Sequence, residues 1–192
     1  MRKIIAFVAV AAAFLGLSQP SRAADYTIDL SHAHILFMVN HLGFSRMIGL
    51  FTDFGGTLSF DPANVAASKL DVTIKADSLQ TQYAQRDADL KGESWFDVTE
   101  FPTITYVGTH YTKIDASHGT VTGNLTLHGV TKPVTLHVTL NKIAPNPMSK
   151  IPSVGFSATG SLMRSDFGMK TFLPAIGDKV DFIIEIEAKQ KS

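Results

Sequence analysis

Residues 121–140 read VTGNLTLHGVTKPVTLHVTL and carry the clearest pattern in the chain. Val121, Gly123, Leu125 and Leu127 fall on one parity, with Thr122, Asn124, Thr126 and His128 on the other. After Gly129 the pattern resumes, with Val134, Leu136, Val138 and Leu140 set against Thr135, His137 and Thr139. Successive side chains of a strand point to opposite faces, so the stretch predicts two half-buried strands around a turn. Strands with one polar face belong to an antiparallel sheet, because a parallel sheet buries both faces.

The same alternation recurs on either side. Ile35, Phe37, Val39 and His41 oppose His34, Leu36, Met38 and Asn40. Leu58 and Phe60 oppose Thr57 and Ser59, and Leu70, Val72, Ile74 and Ala76 oppose Lys69, Asp71, Thr73 and Lys75. Val180, Phe182, Ile184, Ile186 and Ala188 form the last series. Segments 102–112 and 153–164 add two more strands, carrying Ile104 and Tyr106 in one, Phe156 and Ala158 in the other. The total is eight, preceded by a short extended piece at Tyr26–Asp29. Eight such strands can close into a barrel, which removes exposed sheet edges. The stretch near residues 79–92 breaks the pattern; Arg86, Ala88 and Leu90 are helix formers, and Gly92 stands at a C-cap position, so one short helix is expected across an opening or flank. No internal repeat or linker divides the chain.

Residues 1–23 read as an export signal. Arg2 and Lys3 precede an apolar run from Ile4 to Leu17, and Ser21-Arg22-Ala23 supplies a cleavage site after Ala23. The run is shorter than the roughly 20 residues a spanning helix needs, so no permanent membrane anchor is expected. The remaining domain, 24–192, is one barrel destined for a bacterial periplasm. Without Arg2, Lys3 and Arg22 it holds fourteen basic residues against seventeen acidic ones, a net charge of about −3. Nucleic acid is thereby excluded as a partner, as is strong attraction to anionic lipid. The absence of cysteine excludes disulfides and a lipoprotein anchor.

An eight-stranded barrel is either filled by its own side chains or holds one small ligand. Ala76, Gly108, Gly123, Ala158 and Gly160 all fall on inward parity and make a hollow interior as plausible as barrel bends. Arg164 keeps the inward parity of Phe156, Ala158, Gly160 and Leu162, and needs a partner because an unpaired buried charge is costly. Asp166 and Asp53 are the candidates. Two roles fit: an ion pair closing one barrel end, or a contact to a ligand head group. His32, His34 and His41 do not share one side and make no metal site, and no nucleophile elbow, phosphate loop or paired His-Glu motif points to catalysis or a cofactor.

Short motifs running in order through the chain resemble the YceI-like family of periplasmic proteins. They are Tyr26-x-Ile28-Asp29-x-x-His32, Phe37-x-Val39-x-His41, Gly49-x-Phe51-x-x-Phe54-x-Gly56, then Asp97 and Phe101-Pro102-x-Ile104. Gly123-x-Leu125-Thr126-Leu127-x-Gly129-Val130-Thr131 and Arg164-Ser165-Asp166-Phe167-Gly168-Met169 complete the set. Two departures stand out: Asp89 replaces a histidine in the helix motif, and Trp95-Phe96 replaces two phenylalanines. The resemblance implies an all-β, lipocalin-like antiparallel barrel around an apolar tunnel that binds polyisoprenoid chains, such as prenyl phosphates or a quinone tail. The residues expected to line it are Phe37, Val39, His41, Phe51, Phe54, Leu58, Phe60, Ile74, Ile104, Tyr106, Gly123, Leu125, Phe156 and Ala158, with Arg164 at the mouth. The reading is therefore a non-catalytic lipid carrier. Its alternatives are a periplasmic enzyme acting on an isoprenoid-like substrate and a filled barrel working through a protein partner; a homodimer is compatible with all three.

Overall fold

The computed structural model describes residues 23–191; apart from Ala23, the export signal lies outside them. Eleven strands form one antiparallel sheet: β1 (Ala24–Ile28), β2 (His34–His41), β3 (Ser45–Phe51), β4 (Phe54–Phe60), β5 (Lys69–Lys75), β6 (Leu79–Gln80), β7 (Thr103–Lys113), β8 (His118–Leu127), β9 (Val130–Pro145), β10 (Pro152–Met163) and β11 (Ile176–Gln190). Helix α1 spans Ala84–Lys91. Eight of the strands close a ring in the order β1, β4, β5, β7, β8, β9, β10, β11, with β11 pairing back onto β1. The expected count of eight is met, though not strand for strand.

The difference lies in three broken staves. β11 pairs with β1 through Ala188–Gln190 and with β2 through Ile176–Glu185, so β1 and β2 are two halves of one stave. A 3₁₀ turn at Leu30–His32 separates them. β3 and β4 are likewise parted at Thr52 and Asp53, and β5 and β6 by a turn at Ala76–Ser78. β3 escaped the sequence reading because its outward Ile48 and Leu50 are apolar while its inward Gly49 is not, which erases the alternation. After β6 the ring has no further partner at this end, so the sheet splits between β6 and β7.

α1 and residues 92–98 fill that split. The helix is shorter than the 79–92 read from the sequence, since Leu79–Gln80 pair with β3 and Gln82 adopts a left-handed φ of 61°. Eight residues are too few to hold a helix alone. Thr81 anchors it: its N–H and hydroxyl donate to the Asp87 carboxylate, while Arg86 Nε and Nη2 donate to its hydroxyl and carbonyl at 2.7 and 2.8 Å. Gly92 does end the helix, but with an extended φ of −75°, so the ending does not call on glycine's left-handed freedom.

The other five staves run unbroken from end to end. At the α1 end β8 and β9 are joined by His128 and Gly129, both at positive φ, the geometry of a tight hairpin turn, and His128 Nδ1 lies 3.2 Å from the Phe167 carbonyl oxygen. A bulge between Gly108 and His110 shifts β7 by one residue, so Tyr111 returns to the inward face that Ile104 and Tyr106 occupy. The inward parity of the other strands builds one core from Ile35, Phe51, Ile74, Ile104, Leu136 and Ala158, and a smaller one from Tyr26, Phe60, Val154 and Ala188.

Candidate functional site

A cavity of about 900 Å³ runs inside the barrel, within the range of ligand sites. Its wall is built by strand parity. Val39 and Phe37 come from β2, Leu70 and Ile74 from β5, Leu136 and Val138 from β9, Ile184 and Ile186 from β11. The interior is therefore hollow, and inward side chains such as Val121, Leu125 and Ile184 are half-buried instead of sealed. Toward α1, the rings of Phe37, Phe51 and Phe96 meet with centroids 5.6 to 6.4 Å apart. At the far end Phe60 and Phe156 pack edge to face at 5.1 Å. Tyr106 lies between, its hydroxyl donating to the carbonyls of Val121 at 2.9 Å and Val134 at 3.1 Å. Burial, with Tyr111 nearby, pushes the Tyr106 phenol far above its ordinary range, and burial also raises Tyr111. Both rings thus face the interior as neutral groups.

Of the residues expected to line the tunnel, Phe37, Val39, His41, Phe51, Phe54, Leu58, Phe60, Ile74, Ile104, Tyr106, Leu125, Phe156, Ala158 and Arg164 all do. Gly123 does not. A Cβ on Gly123 would stand 2.5 Å from Tyr106 Cζ and 2.7 Å from the Val107 carbonyl oxygen, so the aromatic ring already occupies the space. The pattern repeats: Phe37 covers Gly49, Tyr111 covers Gly108 and Phe182 covers Gly160. Inward glycines here seat aromatic rings from neighbouring residues, a known way to stabilise strand glycines. Ala76 is sealed in the turn before β6, which leaves Ala158 as the small residue that opens onto the cavity.

Arg164 is 3 % exposed, yet neither Asp166 nor Asp53 is its partner. Its Nε donates to the Gly177 carbonyl at 2.9 Å, Nη1 to Met169 at 2.7 Å, and Nη2 to Thr171 and Ile176, each at 2.9 Å. Trp95 lies over the guanidinium at 5.2 Å. Burial pulls its pKa down, opposed by Asp178, and an arginine nevertheless stays charged. Asp178 in turn accepts from the Ser165 N–H and hydroxyl, which hold its carboxyl below the usual range. Asp166 instead faces Lys132 at 3.4 Å, and the Asp53 carbonyl takes the Lys75 N–H. With four of its five donors on backbone carbonyls, Arg164 is a staple that folds residues 164–177 across the barrel end. Its carbonyl partners left no side-chain signal in the sequence. The cation at the rim is Arg86, half-buried, lining the cavity with Asp89, its Nη1 3.7 Å from Met47 Sδ.

His32 pairs with Asp29 at 3.1 Å, and with Glu187 these residues bring ligand atoms within 4.8 Å of one another. Lys189 already sits on the same carboxylate at 2.7 Å and, as its main cause, lowers the Asp29 pKa. His41, by contrast, opens onto the cavity.

The model of the YceI-like domain matches residues 26–188, nearly all of the barrel. The chain belongs to the YceI-like family. It is 40% identical over 171 residues to protein YceI of Escherichia coli O157:H7, covering 88% of each chain. A crystal structure of a Campylobacter jejuni YceI protein superposes with a TM-score of 0.73 at 35% identity, over 80% of this chain and 90% of that one. A polyisoprenoid-binding domain from Saccharophagus degradans shares the fold at a TM-score of 0.67 and 13% identity, over 88% and 99%. The YceI-like motifs sit at structural joints: Gly49 beneath Phe37, Gly123 beneath Tyr106, and Arg164 to Met169 in the stapled loop. At the departing positions, Asp89 stands on the rim and Trp95 stacks on Arg164.

Proposed function

We propose that this YceI-like protein is a periplasmic carrier of a long-chain isoprenoid lipid, a prenyl phosphate or a quinone tail, held in the barrel. One observation carries the reading: a continuous apolar cavity of about 900 Å³ whose wall runs from Phe60 and Phe156 at one end to Phe37, Phe51 and Phe96 at the other. The cavity-lining stretch of β11, from Ile176 to Ile186, runs about 33 Å along the strand at ~3.3 Å per residue, which suits an extended chain better than a compact ligand. A chain of about 40 carbons gains at most roughly 12 kcal/mol at ~0.3 kcal/mol per heavy atom. The S. degradans neighbour, described as polyisoprenoid-binding, supports the ligand class.

Export by residues 1–23 places the mature protein in the periplasm; a mature N-terminus at Ala24 in the periplasmic fraction is the expected outcome, and a full-length species held in the inner membrane contradicts it. Binding is tested by titrating delipidated protein with a long-chain prenyl phosphate. Saturable uptake at one lipid per chain is expected, and uptake that never saturates, or none, rejects the carrier.

A further inference from the structure

The cavity has two unlike rims. At the β7–β8 turn it is edged chiefly by exposed polar residues, Thr112, Lys113, Asp115 and His118, with Ala116 among them and Ile114 the one large apolar side chain exposed in that turn. At the α1 end it is edged by Met47, Trp95 and Phe172, and beyond them stand exposed apolar side chains: Leu42 at 53 %, Phe44 at 89 %, Tyr83 at 60 % and Phe172 at 68 %. These belong to one surface. The Leu42 N–H donates to the Ala175 carbonyl at 2.9 Å, tying the β2–β3 turn to the loop that carries Phe172. Phe172 lies 6.2 Å from Trp95, and Arg86 joins Met47 to Tyr83, whose ring it faces at 5.5 Å.

Two of the four are held where bulky residues seldom sit. Leu42 has φ 56° and Phe172 has φ 57°, the left-handed region that tight turns fill with Gly, Asn or Asp. Exposed apolar groups at strained turn tips gain nothing from the fold itself and point to a use outside it. Charges of both signs surround them: Arg46 and Lys179 both reach Asp181 at 2.8 Å, Arg86 and Lys91 share α1 with Asp87 and Asp89, and Lys170 is exposed two residues before Phe172.

We propose that the α1 end is the face by which the protein rests on a lipid bilayer, with Leu42, Phe44, Tyr83 and Phe172 in the interface and the cavity opening between them. The proposal rests on the carrier reading and adds where cargo crosses. Apolar side chains on this rim, Met47, Trp95 and Phe172, run on into the apolar cavity beside Arg86 and Asp89, and give a lipid chain an apolar path from membrane to barrel. Aromatic side chains are the ones that settle at membrane interfaces, and with charges of both signs around them the contact rests on apolar insertion more than on attraction to anionic lipid.

Flotation with phosphatidylcholine vesicles tests it. Wild-type protein should float with the vesicles equally at about 0.1 M and about 0.5 M salt. The double variant F44D/F172D should lose about tenfold or more of that partitioning with an unchanged far-UV circular dichroism spectrum. Met148→Asp, at an exposed apolar residue outside the cavity wall, should float like wild type. The proposal is overturned if wild type does not float or if Met148→Asp loses as much. It is equally overturned if F44D/F172D floats normally and only converts a dimer to a monomer in sedimentation. Lipid extracted from the same wild-type sample separates the two ideas: cargo without flotation removes the docking face alone, whereas flotation without any cargo or uptake removes the carrier.

Discussion

The two ends of the barrel are made from the same strands and differ in how the ring closes. At the end of the β7–β8 turn all eight members of the ring pair with both neighbours, and Phe60 meets Phe156 across the interior. At the α1 end three staves break, the sheet parts between β6 and β7, and a short helix with a stapled loop takes the place of hydrogen-bonded strands. One end is laddered all the way round, whereas at the other the ladder is open between β6 and β7 and side chains bridge the gap. Low-stability segments are where openings and binding loops are drawn from. On the proposed carrier function, the difference separates the part of the fold that persists from the part through which a ligand would enter.

Removing the staple should widen the contrast most. Arg164→Met leaves four carbonyls without their donor, at a cost on the order of 3–5 kcal/mol. Denaturant unfolding measures the loss, and hydrogen exchange should show it falling on residues 164–177 while β8 and β9 keep their protection. Uniform loss of protection would mean that the ends are not separable.

A smaller effect distinguishes two inward small residues. Gly123→Ala drives a methyl into Tyr106 and the Val107 carbonyl and should cost on the order of 1–3 kcal/mol. Ala158→Phe grows into the cavity, so it should expel lipid while leaving the free energy of unfolding within about 1 kcal/mol of wild type. The reverse ranking would show that the hollow lies at Gly123.

The smallest effect is acid sensitivity. Asp178 is held below the usual carboxylate range, chiefly by Ser165. A group with a lowered folded pKa contributes stability above its unfolded value, near 4, and that contribution is lost as pH falls through the folded value. Residues 164–177 should loosen below about pH 4, and Asp178→Asn should remove that part of the dependence while leaving the parts set by Asp29 and Asp115, whose carboxyls are also held low by their hydrogen-bond partners. Exchange rates of residues 164–177 across the pH series provide the check.

Much of this was legible in the sequence because period-two alternation reports which way a side chain points. It placed Leu136, Ile184 and Ala158 inward, and with them nearly the whole cavity wall. Parity does not report what faces a side chain across the sheet. Gly123 was read as open space because nothing in its own strand says that Tyr106 of β7 lies over it. β3 was missed where outward Ile48 and Leu50 cancel the contrast, and the breaks between half-staves leave no compositional mark. Arg164 was rightly placed as a buried charge needing partners, but those partners are backbone carbonyls that any sequence supplies. Tyr83, Phe44 and Phe172 carry no periodic signal, since they stand outside the strands.

Native mass spectrometry of protein purified from its native source tests the central claim most directly. The account predicts a wild-type chain carrying one apolar ligand that organic solvent extracts, and an Ala158→Phe chain that is folded and bare. A wild-type chain at its bare mass, unchanged after incubation with added prenyl lipid, would contradict it.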